Sequence, residues 1–291
     1  MYSKQAIRAL GVTPDHMTEA QKNQLDRDGY YIIEGALNEA ECDEMRAAFE
    51  ALSEAEAGQG GHEIHIEPGA RRVSNIFNKT EAFDRCLQIP EVLAGCHYLL
   101  GEFKVHGANL RDPVSGHGEQ ELHTDVPKKF ADDWWVLNAV VVLDDITLDN
   151  GPTRAIPGSH HWAPINVAAV NMGDWEPPAQ VSPEDQARIP DDLLAPHPDE
   201  QMVTAKAGDI IMMNSSMWHS GTLKKDNSHR RVLHLTYTRR DLPQQLCQID
   251  YLTPALYDRM SAEHRYLLEI EPEAQQGVLR QPKRESKDWW S

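Results

Sequence analysis

Long apolar runs are missing from this sequence. The longest purely aliphatic stretch, Ala139 to Leu143, is far short of the roughly 20 apolar residues that span a bilayer. The opening Met1-Tyr2-Ser3-Lys4-Gln5 has neither the basic nor the apolar segment of a secretory signal, so a cytoplasmic location is expected. Cysteine is scarce. Cys42, Cys86, Cys96 and Cys247 stand far apart with no C-x-x-C pair, which argues against a disulfide scaffold or a zinc ribbon and for reduced, mostly buried thiols. Basic residues are outnumbered, 28 against 46 acidic, for a formal net charge of −18. A field of that sign repels phosphate backbones and anionic lipid over roughly a Debye length, so neither nucleic acid nor a membrane is an expected partner. Most of that excess reads as solvated surface, and it leaves room for a locally basic pocket. There is no G-x-S-x-G elbow to support a serine hydrolase, and no internal repeat.

What is present fits an ordinary soluble protein: 291 residues, 40% of them hydrophobic and 25% charged, enough to bury a core without staples. The first part reads as helical. Thr18 opens a polar stretch that stops at Gly29, and Asn38 with Glu41 three positions on is a capping box. Behind that box, Cys42, Met45, Phe49 and Leu52 recur at helical spacing. Gly58-Gln59-Gly60-Gly61 breaks that helix, and another is expected from Pro90, with Val92, Leu93, Cys96, Leu99 and Leu100 on its apolar side. Tyr30 to Ile33 is a short strand-like run. From Phe103 onward β character dominates, in Phe103 to Arg111, Trp134 to Leu143, Asp209 to Met213 and Arg231 to Thr238. The expected organisation is one domain over 1–291, mainly β with flanking helices. It has a helical part to about residue 100, a β core over about 103–240, and a helical and polar tail over about 253–291. A Pro-, Asp- and Glu-rich insert, 162–200, is long enough to be a functional lid.

Fourteen histidines guarantee chance pairs, so only those with a physical reason to converge count. His123 and Asp125 are two apart in a segment expected to be extended. There, i and i+2 side chains share a face and place an imidazole beside a carboxylate. His219 follows the strand Asp209-Ile-Ile-Met-Met-Asn214 and the turn Asn214-Ser215-Ser216, which puts it at a strand end. Two histidines and one carboxylate on one face leave the opposite octahedral face open, the arrangement of non-haem iron(II) oxygenases. Arg230, eleven residues after His219, offers a planar fork for the free carboxylate of an anionic co-substrate. Its neighbour Arg231 is the rival for that role.

Three segments together resemble the phytanoyl-CoA dioxygenase family, relatives of ectoine hydroxylase, over roughly Tyr30 to Tyr237. They are His123-Thr124-Asp125, the run from Leu143-Asp-Asp-Ile-Thr-Leu-Asp-Asn-Gly-Pro to Pro157-Gly-Ser-His160, and Asp209 through His219 to Arg230. The opening Gly29-Tyr30-Tyr31-Ile32-Ile33 also fits. The resemblance implies a double-stranded β-helix, a cupin-like jelly-roll barrel with the metal at its mouth. It implies iron(II), 2-oxoglutarate as co-substrate and dioxygen, with release of succinate and carbon dioxide and hydroxylation or desaturation of a small-molecule substrate. Related halogenases have a small residue in place of the carboxylate, so Asp125 favours hydroxylation. Asn109, on the strand before the His-x-Asp turn, is implied to bond the co-substrate. The family often has Ser two residues after the distal histidine. Here that place is Gly221, and Thr222 beside it is the expected substitute.

The remaining histidines read as structural. His160 and His161 belong to a turn in which Gly158 serves the bend. His62 and His65 could form a second metal pair, but a substrate-lining or solvent-facing strand is the stronger reading. His106, His117, His229 and His234 show no partner pattern. One of Trp134 and Trp135 should face inward. Other functions stay open: a cupin-type metalloenzyme without 2-oxoglutarate, for which Arg230 would have no purpose, a non-catalytic binding protein on the same fold, or a zinc hydrolase. Substrate contacts are expected in 162–200 and 62–78. Arg71, Arg72, Lys79, Arg154 and Lys128 or Lys129 suggest a small anionic or zwitterionic substrate.

Overall fold

A computed structural model of the chain describes residues 1–128, 130–162 and 183–271. Most of the expected lid and the end of the tail, together with Lys129, lie outside them. Eight α-helices and nine strands are described. The helices are α1 (Ser3–Ala9), α2 (Glu19–Asp28), α3 (Glu39–Glu56), α4 (Ile76–Lys79), α5 (Pro90–Leu100), α6 (Pro183–Gln186), α7 (Pro254–Arg259) and α8 (Ala262–Leu268). The strands are β1 (Tyr30–Ile33), β2 (Ala70–Val73), β3 (Phe103–Pro113), β4 (Val136–Val142), β5 (Thr153–Ala155), β6 (Gln201–Val203), β7 (Ile210–Asn214), β8 (His219–Gly221) and β9 (Val232–Arg239). Among these residues no helix is long and apolar enough to cross a membrane.

Local chemistry sets the helix ends. The Thr18 hydroxyl accepts from Gln21 N at 3.2 Å. The α2 helix stops at Gly29, whose φ of +86° is in the left-handed region. A side chain at Gly29 would also run into His160, 2.7 Å from its Cβ. In α3, Asn38 Oδ1 accepts from Glu41 N at 3.1 Å while Glu41 Oε2 accepts from Asn38 N at 2.8 Å. Cys42, Met45 and Phe49 then form the buried stripe. The helix from Pro90 buries Val92, Leu93, Cys96, Leu99 and Leu100.

The strands form two antiparallel sheets, one of six strands in the order β1-β7-β4-β9-β3-β2 and one of three in the order β6-β5-β8. Side-chain alternation gives the large sheet two different faces. Leu137, Ala139 and Val141 of β4, with Leu233, Leu235 and Tyr237 of β9, pack against helices in the main core with Phe49, Phe77, Phe83 and Phe103. Burying each of these aromatic rings removes it fully from water, worth about 1.5–3 kcal/mol apiece. The opposite face turns to the small sheet. Val140, Val142, Ile211, Met213 and Val232 join Ala155 and Val203 in a second core between the sheets. That inner face also carries the polar residues of the site.

The architecture is therefore a mixed helix-and-sheet fold with antiparallel sheets rather than a mainly β one, and helical residues outnumber strand residues. The reason is that helices cover the outer face of the large sheet, while the strands of the small sheet are only three residues long. Four strands had no signal in the sequence: β2, β5, β6 and β8. His62 lies in a turn and His65 in irregular backbone rather than on a strand, which starts only at Ala70. Trp135 is the inward-facing tryptophan, 4% exposed. Three of the cysteines, Cys42, Cys86 and Cys96, are free and buried, and Cys247 is free and exposed.

Candidate metal centre and its cavity

His123, Asp125 and His219 converge. One ligand-type atom from each lies within 4.8 Å of the others, and Asp125 Oδ1 is 3.6 Å from Nε2 of both histidines. The backbone holds this arrangement. His123 N donates to His219 O at 3.0 Å and His219 N to His123 O at 2.9 Å, while Asp125 N donates to Ser215 O at 2.9 Å. The turn that delivers His219 is closed by Asn214, whose Oδ1 accepts from Ser216 N at 3.0 Å and whose carbonyl accepts from Met217 N at 2.9 Å.

Ring orientation is fixed as well. His123 Nδ1 lies 2.6 Å from Glu121 O, and His219 Nδ1 lies 2.8 Å from Met217 O. A carbonyl only accepts, so both Nδ1 atoms carry a proton and both Nε2 atoms face the carboxylate. Burial works to raise the Asp125 carboxyl, but the two imidazoles outweigh it and hold it ionised, well below the usual carboxylate range. Burial lowers His219; burial also works to lower His123, but Asp125 outweighs it and raises that imidazole.

These residues line a cavity of about 210 Å³ between the two sheets. Its apolar wall includes Val136, Val140, Val203, Ile211 and Met213, and its polar lining includes Asn109, Asn138, Arg230 and His234. Arg230 is 2% exposed. Its backbone N–H is fixed by Asp112 Oδ1 at 3.0 Å, yet its Nε and Nη1 meet no acceptor among the described residues. Burial pushes its guanidinium down to about 9, still charged at neutral pH. A buried, charged fork with free donors is costly unless an anion joins it. The rival Arg231 turns the other way, with Nε and Nη2 on Asp144 at 2.8 Å each and Nη1 on Glu50 at 2.9 Å.

Asn109 also lines the cavity, with Nδ2 donating to Gln245 Oε1 at 2.9 Å and Oδ1 left without a partner. Thr222 does not line it. Its hydroxyl donates to Pro152 O at 2.6 Å. Nor can a serine occupy position 221 as the backbone stands: a Cβ there would lie 2.5 Å from Gly118 O and 3.0 Å from Gln120 Oε1. Gln120 already takes the polar role, accepting from Gly221 N at 3.1 Å.

Sequence reading missed several lining residues: Arg111, Gln120, Asn138, Thr153, His234 and Gln245. One of these had a signal available, since Arg111 follows Asn109 by two on β3 and so shares its face. His234 was set aside for lack of a partner. It sits between Asn109 and Val140 in strand register, and burial together with Arg111, Arg72 and Arg230 pushes its imidazole down to about 3. His160 is structural, with Nε2 3.1 Å from Asp26 O. The second cluster of possible metal donors, Glu56, His62 and Glu63, already contains a cation, because Lys79 Nζ lies 2.5 Å from Glu56 and 2.6 Å from Glu63.

The sequence profile of the phytanoyl-CoA dioxygenase family matches residues 25–232, a stretch that holds the two histidines, the aspartate and Arg230. The chain belongs to the phytanoyl-CoA dioxygenase family. It is an iron(II)- and 2-oxoglutarate-dependent dioxygenase. An L-proline trans-4-hydroxylase of Streptomyces griseoviridis is 25% identical over 237 residues, covering 75% of this chain and 85% of its own. An Fe(II)/2-oxoglutarate-dependent dioxygenase of Aspergillus novofumigatus, nvfF, is 29% identical over 191 residues, 56% of this chain and 62% of its own. Among solved structures, HygX from Streptomyces hygroscopicus, crystallised with nickel and 2-oxoglutarate bound, superposes with a TM-score of 0.57 at 19% identity. That superposition covers 76% of this chain and 87% of HygX, and the likeness is one of fold.

Proposed function

We propose that this family member hydroxylates a small molecule, with His123, Asp125 and His219 as its iron(II) ligands and Arg230 as the anchor of 2-oxoglutarate. The donor set fits the metal: two neutral imidazole nitrogens and one ionised carboxylate, borderline ligands that iron(II) accepts. Iron(II) with 2-oxoglutarate and dioxygen supplies the oxidant for an unactivated C–H bond, leaving succinate and carbon dioxide.

The chain's own residues do the rest. Glu121 O and Met217 O hold the two Nδ1 protons and so aim the Nε2 atoms. Asp125 stays ionised and halves the charge of a divalent ion. Arg230 offers two unsatisfied donors to a carboxylate, which a metalloenzyme without a dicarboxylate co-substrate would leave idle. Asn109 Oδ1, without a partner, supplies a further polar contact in the same cavity. The valines, Ile211 and Met213 keep water from the reacting centre.

The single observation that carries this reading is the buried Arg230 fork, unsatisfied in the same cavity as the His-Asp-His cluster. A cavity of about 210 Å³ suits a small molecule; one relative is named for L-proline, and HygX has been crystallised with hygromycin B bound. The two sheets are read as a jelly-roll core within a single domain over 1–291, placed in the cytoplasm, with 162–200 as its lid. The test is succinate formation from 2-oxoglutarate. It should require iron(II) and vanish in Asp125→Ala. Succinate formed equally by that variant would remove the proposed metal role.

A further inference from the structure

Of the cations that the sequence offered for substrate binding, one among the described residues reaches the cavity. Arg71 is taken by Glu50 and Asp112, Lys79 by Glu56 and Glu63, and Lys128 by His160 O. Arg154 donates to Ser220 and to the carbonyls of Leu193 and Ala195. Arg72 alone lines the cavity. Its cross-strand partner on β3 is Arg111, which lines the cavity too. Like charges directly opposite one another on a sheet repel, so this pair needs a counterion.

Among the described residues one counterion serves both. Arg72 Nη1 lies 2.6 Å from Glu67 Oε2, and Arg111 reaches the same carboxylate with Nη2 at 2.5 Å and Nε at 3.0 Å. Arg72 Nε is buried and meets no acceptor among the described residues. Iron(II), Asp125 and a dianionic 2-oxoglutarate together carry one negative charge, which Arg230 balances. Arg72 and Arg111 against Glu67 then leave one positive charge facing the cavity. Burial of an uncompensated charge is among the costliest arrangements in a fold, and a planar guanidinium fork matches a carboxylate.

We propose that Arg72 and Arg111, bridged by Glu67, form a second anion site, and that the substrate is a monocarboxylate seated on it. This rests on the reading that Arg230 holds 2-oxoglutarate. A hydrocarbon would leave Arg72 Nε unsatisfied, a neutral sugar would leave the positive charge unbalanced, and a phosphate dianion would overshoot it. The site is thus specificity-determining: it selects the acid over its uncharged analogue.

The test uses the full chain loaded with manganese(II) and 2-oxoglutarate. Three acids (N-acetyl-L-proline, benzoate and hexanoate) are compared with their carboxamides by thermal shift, and 2-oxoglutarate affinity is measured by calorimetry. At least one acid should raise the melting temperature by about 2 °C or more at millimolar concentration, and none of the amides should. Arg72→Gln should abolish that shift while leaving 2-oxoglutarate affinity within about threefold. Should Arg72→Gln fail to fold, Arg111→Gln carries the same expectation. The proposal is overturned if amides stabilise as well as acids, or if no acid stabilises. It is also overturned if Arg72→Gln weakens 2-oxoglutarate as much as Arg230→Gln does. Failure of 2-oxoglutarate to bind the unaltered chain would instead sink the reading of Arg230.

Discussion

His123 and His219 bind one another through their backbones in both directions, at 3.0 and 2.9 Å, so the main chain rather than a metal brings the two imidazoles together. Their ring centroids are 4.7 Å apart. Metal affinity and folding should therefore separate. His219→Ala keeps both backbone bonds and should lose iron(II) affinity by on the order of 100-fold or more, with metal-free melting changed by no more than a few degrees. Metal-binding calorimetry and thermal melts in chelator check both halves. Collapse of the metal-free fold would show that the ring, not the backbone, organises the site.

Arg230→Gln removes the unsatisfied fork but leaves the His-Asp-His cluster untouched. Iron(II) affinity should be unchanged, while 2-oxoglutarate binds at least about 30-fold more weakly, as expected when one partner of a buried charge pair is removed. Arg231→Gln should leave 2-oxoglutarate binding as it was, since that side chain is spent on Asp144 and Glu50. Equal losses in the two variants would remove the distinction.

Glu67 ties acid stability to the cavity. Burial works to raise its carboxyl, but Arg111 and Arg72 overcome that and hold it at about 2, below the ordinary 4.5. A depressed carboxylate contributes stability that is present above its unfolded pKa and lost as pH falls toward the folded one. Glu67→Gln should cost roughly 3 kcal/mol at pH 7, and its difference from the native chain should shrink as pH drops below about 4.5. Urea melts from pH 7 down to 3.5 measure this. A pH-independent difference would mean that the ion pairs contribute nothing.

Gly221→Ser introduces the serine that the family resemblance led one to expect, yet its Cβ would meet the Gly118 carbonyl at 2.5 Å. The backbone must shift, so the variant should melt several degrees lower, consistent with overpacking costs of about 1–3 kcal/mol. It should also bind 2-oxoglutarate no better. A gain in both would show that Gln120 is easily displaced and that serine is simply missing.

Much of the site was legible because its parts have short-range signals. His123 and Asp125 are two apart, His219 follows a strand and a turn, and Arg230 lies two residues before another strand. The capping box at Asn38 and the stop at Gly29 made two helices readable. What escaped depended on long-range pairing. Strands β5, β6 and β8 are three residues each and carry no periodicity of their own. Arg71 and Arg72 are equivalent in sequence until register sends one to Glu50 and the other to the cavity. Thr222 looked like the spare hydroxyl, but Pro152 claims it.

The most direct measurement is an anaerobic titration of the metal-free protein with iron(II) and then 2-oxoglutarate, followed by visible absorption. A saturable charge-transfer band is expected in the native chain, absent in His219→Ala and needing far more 2-oxoglutarate in Arg230→Gln. Iron(II) bound without any band, or a band that persists in His219→Ala, would contradict the assignment of His123, Asp125 and His219 as the metal site that 2-oxoglutarate joins.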